Sequence, residues 1–125
     1  MKKIFAVDDS ATIRMFIEEA LVNRGYHVET AENGNDAIRK IQEFIDTIDI
    51  FIIDIIMTGM DGIALISKIR DIEIYKSTPI IVLTSMTDES AIDVAKSAGA
   101  DCWISKPFDI EELVEAIRHF LNSSI

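Results

Sequence analysis

With 125 residues, 49% hydrophobic and 27% charged, the chain suits one globular domain with a real core and is too short for two. Its formal charge of −10 argues against a general nucleic-acid binder, because phosphate backbones are held by Lys and Arg, and suits a protein that meets basic or neutral partners. Only four apolar residues separate Lys3 from Asp8, too few for a secretory leader, and no apolar run reaches membrane-spanning length, so a cytoplasmic protein without membrane contact is expected.

KIFAV (3–7) reads as a buried strand that ends at Asp8-Asp9. Ile13, Phe16, Ile17, Ala20 and Leu21 then recur at helical spacing, and Gly25 closes that helix as its C′ residue. HVET (27–30) alternates and reads as a short strand near a sheet edge. Asn33-Gly34 opens a second helix with Ala37, Ile38, Ile41 and Ile45 on one face. IDIFIID (48–54) is the most apolar strand, and TGMDG (58–62) is a turn cluster. Ile63, Leu65, Ile66 and Ile69 mark a third helix, and PIIVLTS (79–85) a strand buried on both faces. Ala91, Ile92, Val94, Ala95 and Ala98 mark a fourth helix ended by Gly99, followed by a fifth strand over 101–105. Asp109 caps a last helix, with Glu112 placed as in a capping box and an inward face of Leu113, Val114, Ile117 and Leu121.

Strands that alternate with helices of this length must be parallel, and uninterrupted apolar strands mean that both sheet faces are covered. The expected fold is therefore α/β: a flavodoxin-like, doubly wound sheet of five parallel strands in the order 2-1-3-4-5, with five helices, forming a single domain over 1–125. A lone Cys102 excludes an internal disulfide, and it has neither a second Cys nor a nearby His with which to hold zinc. His27 and His119 lack ligand spacing and read as structural or surface residues.

Open parallel sheets bind ligands beyond the carboxyl ends of their strands, where the strand order reverses. Those ends carry Asp8 and Asp9 on strand 1, Asp54 on strand 3, Thr84 and Ser85 on strand 4, and Lys106 on strand 5, whereas strand 2 offers only Thr30. Asp54 closes an apolar run, where an unpaired carboxylate is costly. Two carboxylates about 5 Å apart repel by roughly 3 kcal/mol at an effective dielectric near 20. Three acids and one lysine leave the cluster net negative, so either a carboxylate protonates or a cation enters, and a few hard oxygen ligands suit Mg²⁺. Magnesium beside a lysine makes a clamp for a phosphoryl group. With no cysteine and no Ser–His pair at these ends, the economical nucleophile is the central Asp54, with Thr84 and Lys106 each meeting a phosphoryl oxygen.

VDDS (7–10), IIDIIMTGMDG (52–62), IIVLTS (80–85) and SKPF (105–108), in this order and at these intervals, resemble the receiver domain of two-component response regulators, of the CheY-like kind, over essentially the whole chain. The resemblance implies that Asp54 is the phosphoacceptor for a histidine kinase. It implies that Asp9 holds Mg²⁺ directly, Asp8 partly through water, and the backbone carbonyl of Ile56 as a further ligand. It makes Thr84 the switch hydroxyl, Lys106 the phosphate-binding lysine before a cis Pro107, and Trp103 the switch aromatic. Such a domain is a phosphoacceptor that catalyses its own phosphorylation and dephosphorylation, not a turnover enzyme, and it exposes a changed surface on helix 4, strand 5 and helix 5 to a protein partner.

The sequence departs from the family's usual residues at Thr58 and Trp103. Thr58 stands where Pro is usual, and Trp103 is larger than the usual Tyr or Phe. Ile56 and Met86 are apolar at positions that tune self-hydrolysis, so a slow loss of phosphate is expected. The start at Met1 and the short tail favour a free-standing protein, expected to be a monomer, whose output lies in trans: a flagellar motor component, a phosphatase or a relay protein. A module of a phosphorelay or hybrid kinase, or a phosphate sink, is the alternative. A Mg²⁺-dependent phosphatase of the haloacid dehalogenase type would need a second Asp at position 56, where Ile stands. A flavin carrier would need a phosphate loop in place of three acids, and a pseudo-receiver would not need the full set of acids, Thr84 and Lys106.

Overall fold

A computed structural model describes residues 1–43, 46–57, 61–85 and 89–122, with the side chains of 89–91 and 122 left out. Ile45 and most of the expected turn at 58–62 lie outside the described residues, as do Thr58 and Met86. The strands are β1 (Lys3–Val7), β2 (His27–Ala31), β3 (Ile50–Asp54), β4 (Ile80–Thr84) and β5 (Cys102–Ser105). The helices are α1 (Ala11–Val22), α2 (Gly34–Glu43), α3 (Gly62–Arg70), α4 (Glu89–Ala98) and α5 (Ile110–Asn122). All strand pairs are parallel and the order is β2-β1-β3-β4-β5, as the alternation of elements predicts.

The three central strands are buried at every residue, which is why their sequences show no polar alternation. Because side chains alternate across a strand, each one feeds two cores. Phe5, Phe51, Ile53 and Val82 pack under α2, α3 and α4, against Ala37, Ile41, Leu65, Ile66, Ile69 and Ala95. Ile4, Ile50, Ile52, Ile81 and Leu83 pack on the other face against Ile17 and Leu21 of α1 and Leu113, Val114 and Ile117 of α5. Each of these α5 side chains contributes roughly 1.5–3 kcal/mol by leaving water. At the sheet edges the burial falls away: β2 is mostly half-buried, and Trp103 of β5 is exposed.

Helix starts follow local chemistry. Ser10 Oγ accepts from Ile13 N, Asn33 Oδ1 from Asp36 N, and Asp61 Oδ1 from Ala64 N. Asp109 does cap α5, but its carboxylate accepts from Glu111 N. Gly25 adopts a φ of +91°, two residues beyond the α1 cap Asn23 and so one position later than expected.

Two apolar side chains assigned to helical stripes face solvent. Phe16 of α1 is 46% exposed and meets Phe108 with tilted rings 6.1 Å apart, and Val94 of α4 is 51% exposed. Leu121 is only half-buried. A 3-10 turn, Glu73–Tyr75, was not legible in the sequence. It buries Tyr75, whose hydroxyl accepts from Ile48 N and whose ring meets Phe51 edge-on at 5.2 Å. Among the described residues no helix is long and apolar enough to cross a membrane.

Candidate functional site

The strand order places the ends of β1 and β3 side by side, with Val7 paired to Ile53 and the acids just beyond. Asp8 follows β1 and is 1% exposed, although it carries a carboxylate. Its backbone N donates to Ala31 O, and its Oδ1 accepts from Ser10 N at 2.9 Å. The serine that caps α1 therefore also orients the acid. Asp54 is the last residue of β3 and is 4% exposed, with Oδ1 accepting from Ile56 N at 3.3 Å. Asp9 is exposed at the rim. One carboxylate oxygen from each of Asp8, Asp9 and Asp54 lies within 4.8 Å of the others.

Lys106 enters from beyond β5. Its backbone N donates to Thr84 O at 2.8 Å, which carries the chain past the end of β4. The Lys106–Pro107 bond is cis, as the resemblance implies. The ammonium lies 2.8 Å from Asp8 Oδ2 and 3.5 Å from Asp54 Oδ2. Thr84, fully buried, closes β4 on the next strand over, with Asp54 paired to Leu83.

Burial pushes the Asp54 carboxyl up to about 6. The neighbouring Asp8 adds to the rise and Asp9 adds less, while Lys106 and the Ile56 N–H oppose it. One ammonium does not offset three acids, and the pocket favours a further positive charge. Clustered carboxylate oxygens of this kind fit a hard divalent cation such as Mg²⁺.

Two residues that shape this site were not singled out in the sequence. Gly62, at the start of α3, packs so closely on β3 that a Cβ there would lie 2.3 Å from Asp54 O and 2.6 Å from Ile55 Cα. Its N–H donates to Ile55 O at 2.8 Å. Arg14 of α1 donates from Nη1 to Asp8 O at 2.7 Å and so braces the acid corner. Its only sequence signal is a position one turn into the helix that follows the acids.

The other candidates are placed differently. Trp103 sits on the α4 side of β5, 42% exposed, and Ile56 is 54% exposed. Met86 and Thr58 lie outside the described residues. Cys102 is half-buried, and burial pushes its thiol up. His27 lies on β2 with Glu29 at 3.8 Å, and His119 is on α5 with its ring edge-on to Phe120. Neither reaches the acids.

A family model described as "Response regulator receiver domain" matches residues 4–118. Among curated proteins, the transcriptional regulatory protein ResD of Bacillus subtilis is 38% identical over 120 residues, which is 96% of this chain and 48% of that protein. The DNA-binding transcriptional regulator NtrC of Salmonella typhimurium is 36% identical over 95% of this chain and 24% of its own length. The chain thus spans about half or less of the curated relatives it matches. Among solved structures, the chemotaxis protein CheY4 of Vibrio cholerae superposes with a TM-score of 0.90 at 37% identity, covering 96% of this chain and 98% of that one. The response regulator TrrA of Thermotoga maritima, solved in complex with Mg²⁺ and BeF, gives 0.82 at 35% identity, covering 96% and 99%.

Proposed function

This chain belongs to the response regulator receiver domain family of two-component systems, and we propose that it is a single receiver unit that takes a phosphoryl group on Asp54 from a histidine kinase. One observation carries this reading. A buried carboxylate at the central strand end shares its pocket with two further acids and has an ammonium 3.5 Å away. In the transfer, an Asp54 carboxylate oxygen attacks phosphorus. The bond from phosphorus to the donor's imidazole nitrogen breaks, its electron pair returns to that nitrogen, and the imidazole takes up a proton. Asp54 is left as an acyl phosphate.

Asp8, Asp9, Asp54 and the backbone carbonyl of Ile56 would hold Mg²⁺. When bound, the cation supplies positive charge to the phosphoryl oxygens as they develop charge in the transition state. Lys106 pairs with one phosphoryl oxygen, and the Thr84 hydroxyl donates to another. The movement of Thr84 is passed to Trp103, and the surface of α4, β5 and α5 then changes its affinity for a protein partner. The protein stores a phosphoryl group and releases it by self-hydrolysis; it does not turn over a substrate.

The match to CheY4 along nearly the full length of both chains supports a chemotaxis-type role, with a flagellar motor component, a phosphatase or a relay protein as partner in trans. The larger curated regulators favour a second reading, a receiver module that drives an attached or relayed output. Both readings share the acceptor chemistry and a cytoplasmic site of action.

Chemical trapping tests the acceptor. Borohydride reduces an aspartyl phosphate to homoserine, and peptide mass mapping after incubation with a phosphorylated histidine kinase should find homoserine at position 54. Homoserine at another aspartate, or none in a sample that demonstrably carries phosphate, would contradict the assignment.

A further inference from the structure

The Lys96 ammonium of α4 lies 4.3 Å from the ring centroid of Trp103. Trp103 is the chain's one tryptophan. Trp103 pairs in register with Val82 and Ser105 pairs with Thr84, so Trp103 stands one pleat back from Thr84 on the neighbouring strand. Val82 belongs to the core beneath α2, α3 and α4, which places Trp103 on the sheet face that α4 covers. Together with Ile92 and Asp93, Lys96 and Trp103 line a cleft of about 200 Å³ between α4 and β5. The lysine stem leaves the helix one turn after Asp93, and its charged end lies over the indole π face, the negative face of the ring quadrupole.

We propose that Lys96 is a latch that holds Trp103 in its exposed position and so biases the domain toward its unphosphorylated state. The inference rests on the reading of Asp54, Thr84 and Trp103 as one switch. A contact made in one state of a two-state element and lost in the other weakens any ligand that selects the second state, by the strength of that contact. A cation over an exposed ring is a small interaction, so the latch tunes the set point of the switch without locking it. Neutralising Lys96, by substitution or by acylation of its amine, releases the latch. Arginine, which also stacks on aromatic faces, keeps it.

The test uses the full chain with Mg²⁺ and beryllofluoride, a mimic of the aspartyl phosphate, in the wild type, Lys96→Met and Lys96→Arg. Bound beryllofluoride is counted by fluorine NMR. Trp103 emission and acrylamide quenching report the indole without interference from any other tryptophan. Lys96→Met should bind beryllofluoride about two- to five-fold more tightly and shield Trp103 at lower ligand concentration, while Lys96→Arg stays near wild type. If Trp103 responds to beryllofluoride in the wild type but Lys96→Met titrates identically, the latch is overturned and the switch stands. If beryllofluoride binds and Trp103 does not respond at all, the switch reading fails and the latch falls with it.

Discussion

Lys106 is bound to Asp8 more closely than to Asp54: its ammonium lies 2.8 Å from the first carboxylate and 3.5 Å from the second. The lysine thus shields a carboxylate that a metal would use, although its proposed role is with the phosphoryl group on the other. Its removal leaves the acids less compensated. Lys106→Met should therefore bind Mg²⁺ about three- to ten-fold more tightly, the effect of one unit charge at this range in a partly solvated site. The same variant should take phosphate from phosphoramidate at least about ten-fold more slowly, having lost a donor to the transferring oxygens. A calorimetric Mg²⁺ titration that shows weaker or unchanged binding would contradict the competition between ammonium and metal.

The raised pKa of Asp54 has a consequence for metal-free stability. In the unfolded chain the carboxyl ionises near its ordinary value of 3.8, and in the folded protein at about 6. Between these values the folded state holds the extra proton, so stability falls as pH rises through that window. The loss is complete above about pH 6 and absent below about pH 4. Asp54→Asn, which removes the charge and keeps the shape, should stabilise the metal-free protein at pH 7 by roughly 1–3 kcal/mol. The gain should vanish near pH 4, and saturating Mg²⁺ should shrink it at pH 7 by stabilising the wild type. Urea unfolding of both proteins at the two pH values checks the sign. A variant less stable than wild type at pH 7 without metal would refute it.

Gly62 admits no side chain. A methyl group there meets backbone, which cannot turn aside as a flexible side chain could. Gly62→Ala should cost about 2 kcal/mol or more, and because the displaced atoms belong to Asp54 and Ile55, Mg²⁺ binding should weaken with it. A variant with wild-type stability and Mg²⁺ affinity would show that the loop yields at no cost.

Arg70 closes the opposite end of the sheet. Its guanidinium donates to the carbonyls of Tyr75, Thr78 and Gly99 and to the Asp101 carboxylate, which joins the end of α3 to the starts of β4 and β5. Gly99 holds φ at +126°, and a Cβ on it would lie 2.7 Å from Arg70 Nε, so glycine suits both the backbone there and the packed guanidinium. Arg70→Ala should destabilise the fold by about 2–4 kcal/mol, and Lys, whose donors sit on one compact ammonium without the planar fork, should recover little of it. Denaturant midpoints of the two variants within error of wild type would dismiss the clamp.

The apolar, exposed Ile56 beside Asp54 offers no group to orient an attacking water. Self-hydrolysis of the acyl phosphate should be slow, with a half-life of minutes or longer, and Ile56→Asn should shorten it. Decay followed by phosphate release checks both, and a wild-type half-life of seconds would contradict the first.

The sheet and the polar crevice were legible because buried parallel strands read as unbroken apolar runs. A charge at the end of such a run, as at Asp8 and Asp54, marks the mouth of the fold. What was not legible depends on packing between distant segments. Phe16 and Val94 keep the helical period, yet they lie on the solvent side of helices whose inner faces were already filled by Ile17, Leu21, Ile92 and Ala95. Tyr75 gains its place from Phe51 and Ile48, Gly62 from the backbone of β3, and Arg70 from Gly99 and Asp101. No spacing in the chain announces those pairings. The approach of Lys96 to Trp103 is of the same kind: Trp103 stood out in the sequence, but nothing there marked the lysine that α4 brings to its face.

The most direct test of the phosphoacceptor is intact-mass analysis after incubation with phosphoramidate, with and without Mg²⁺, on the wild type and Asp54→Asn. An aspartyl-phosphate switch predicts one added phosphoryl group that depends on Mg²⁺ and is absent from the variant. No gain of mass under conditions where Mg²⁺ demonstrably binds, or an equal gain in Asp54→Asn, would contradict it.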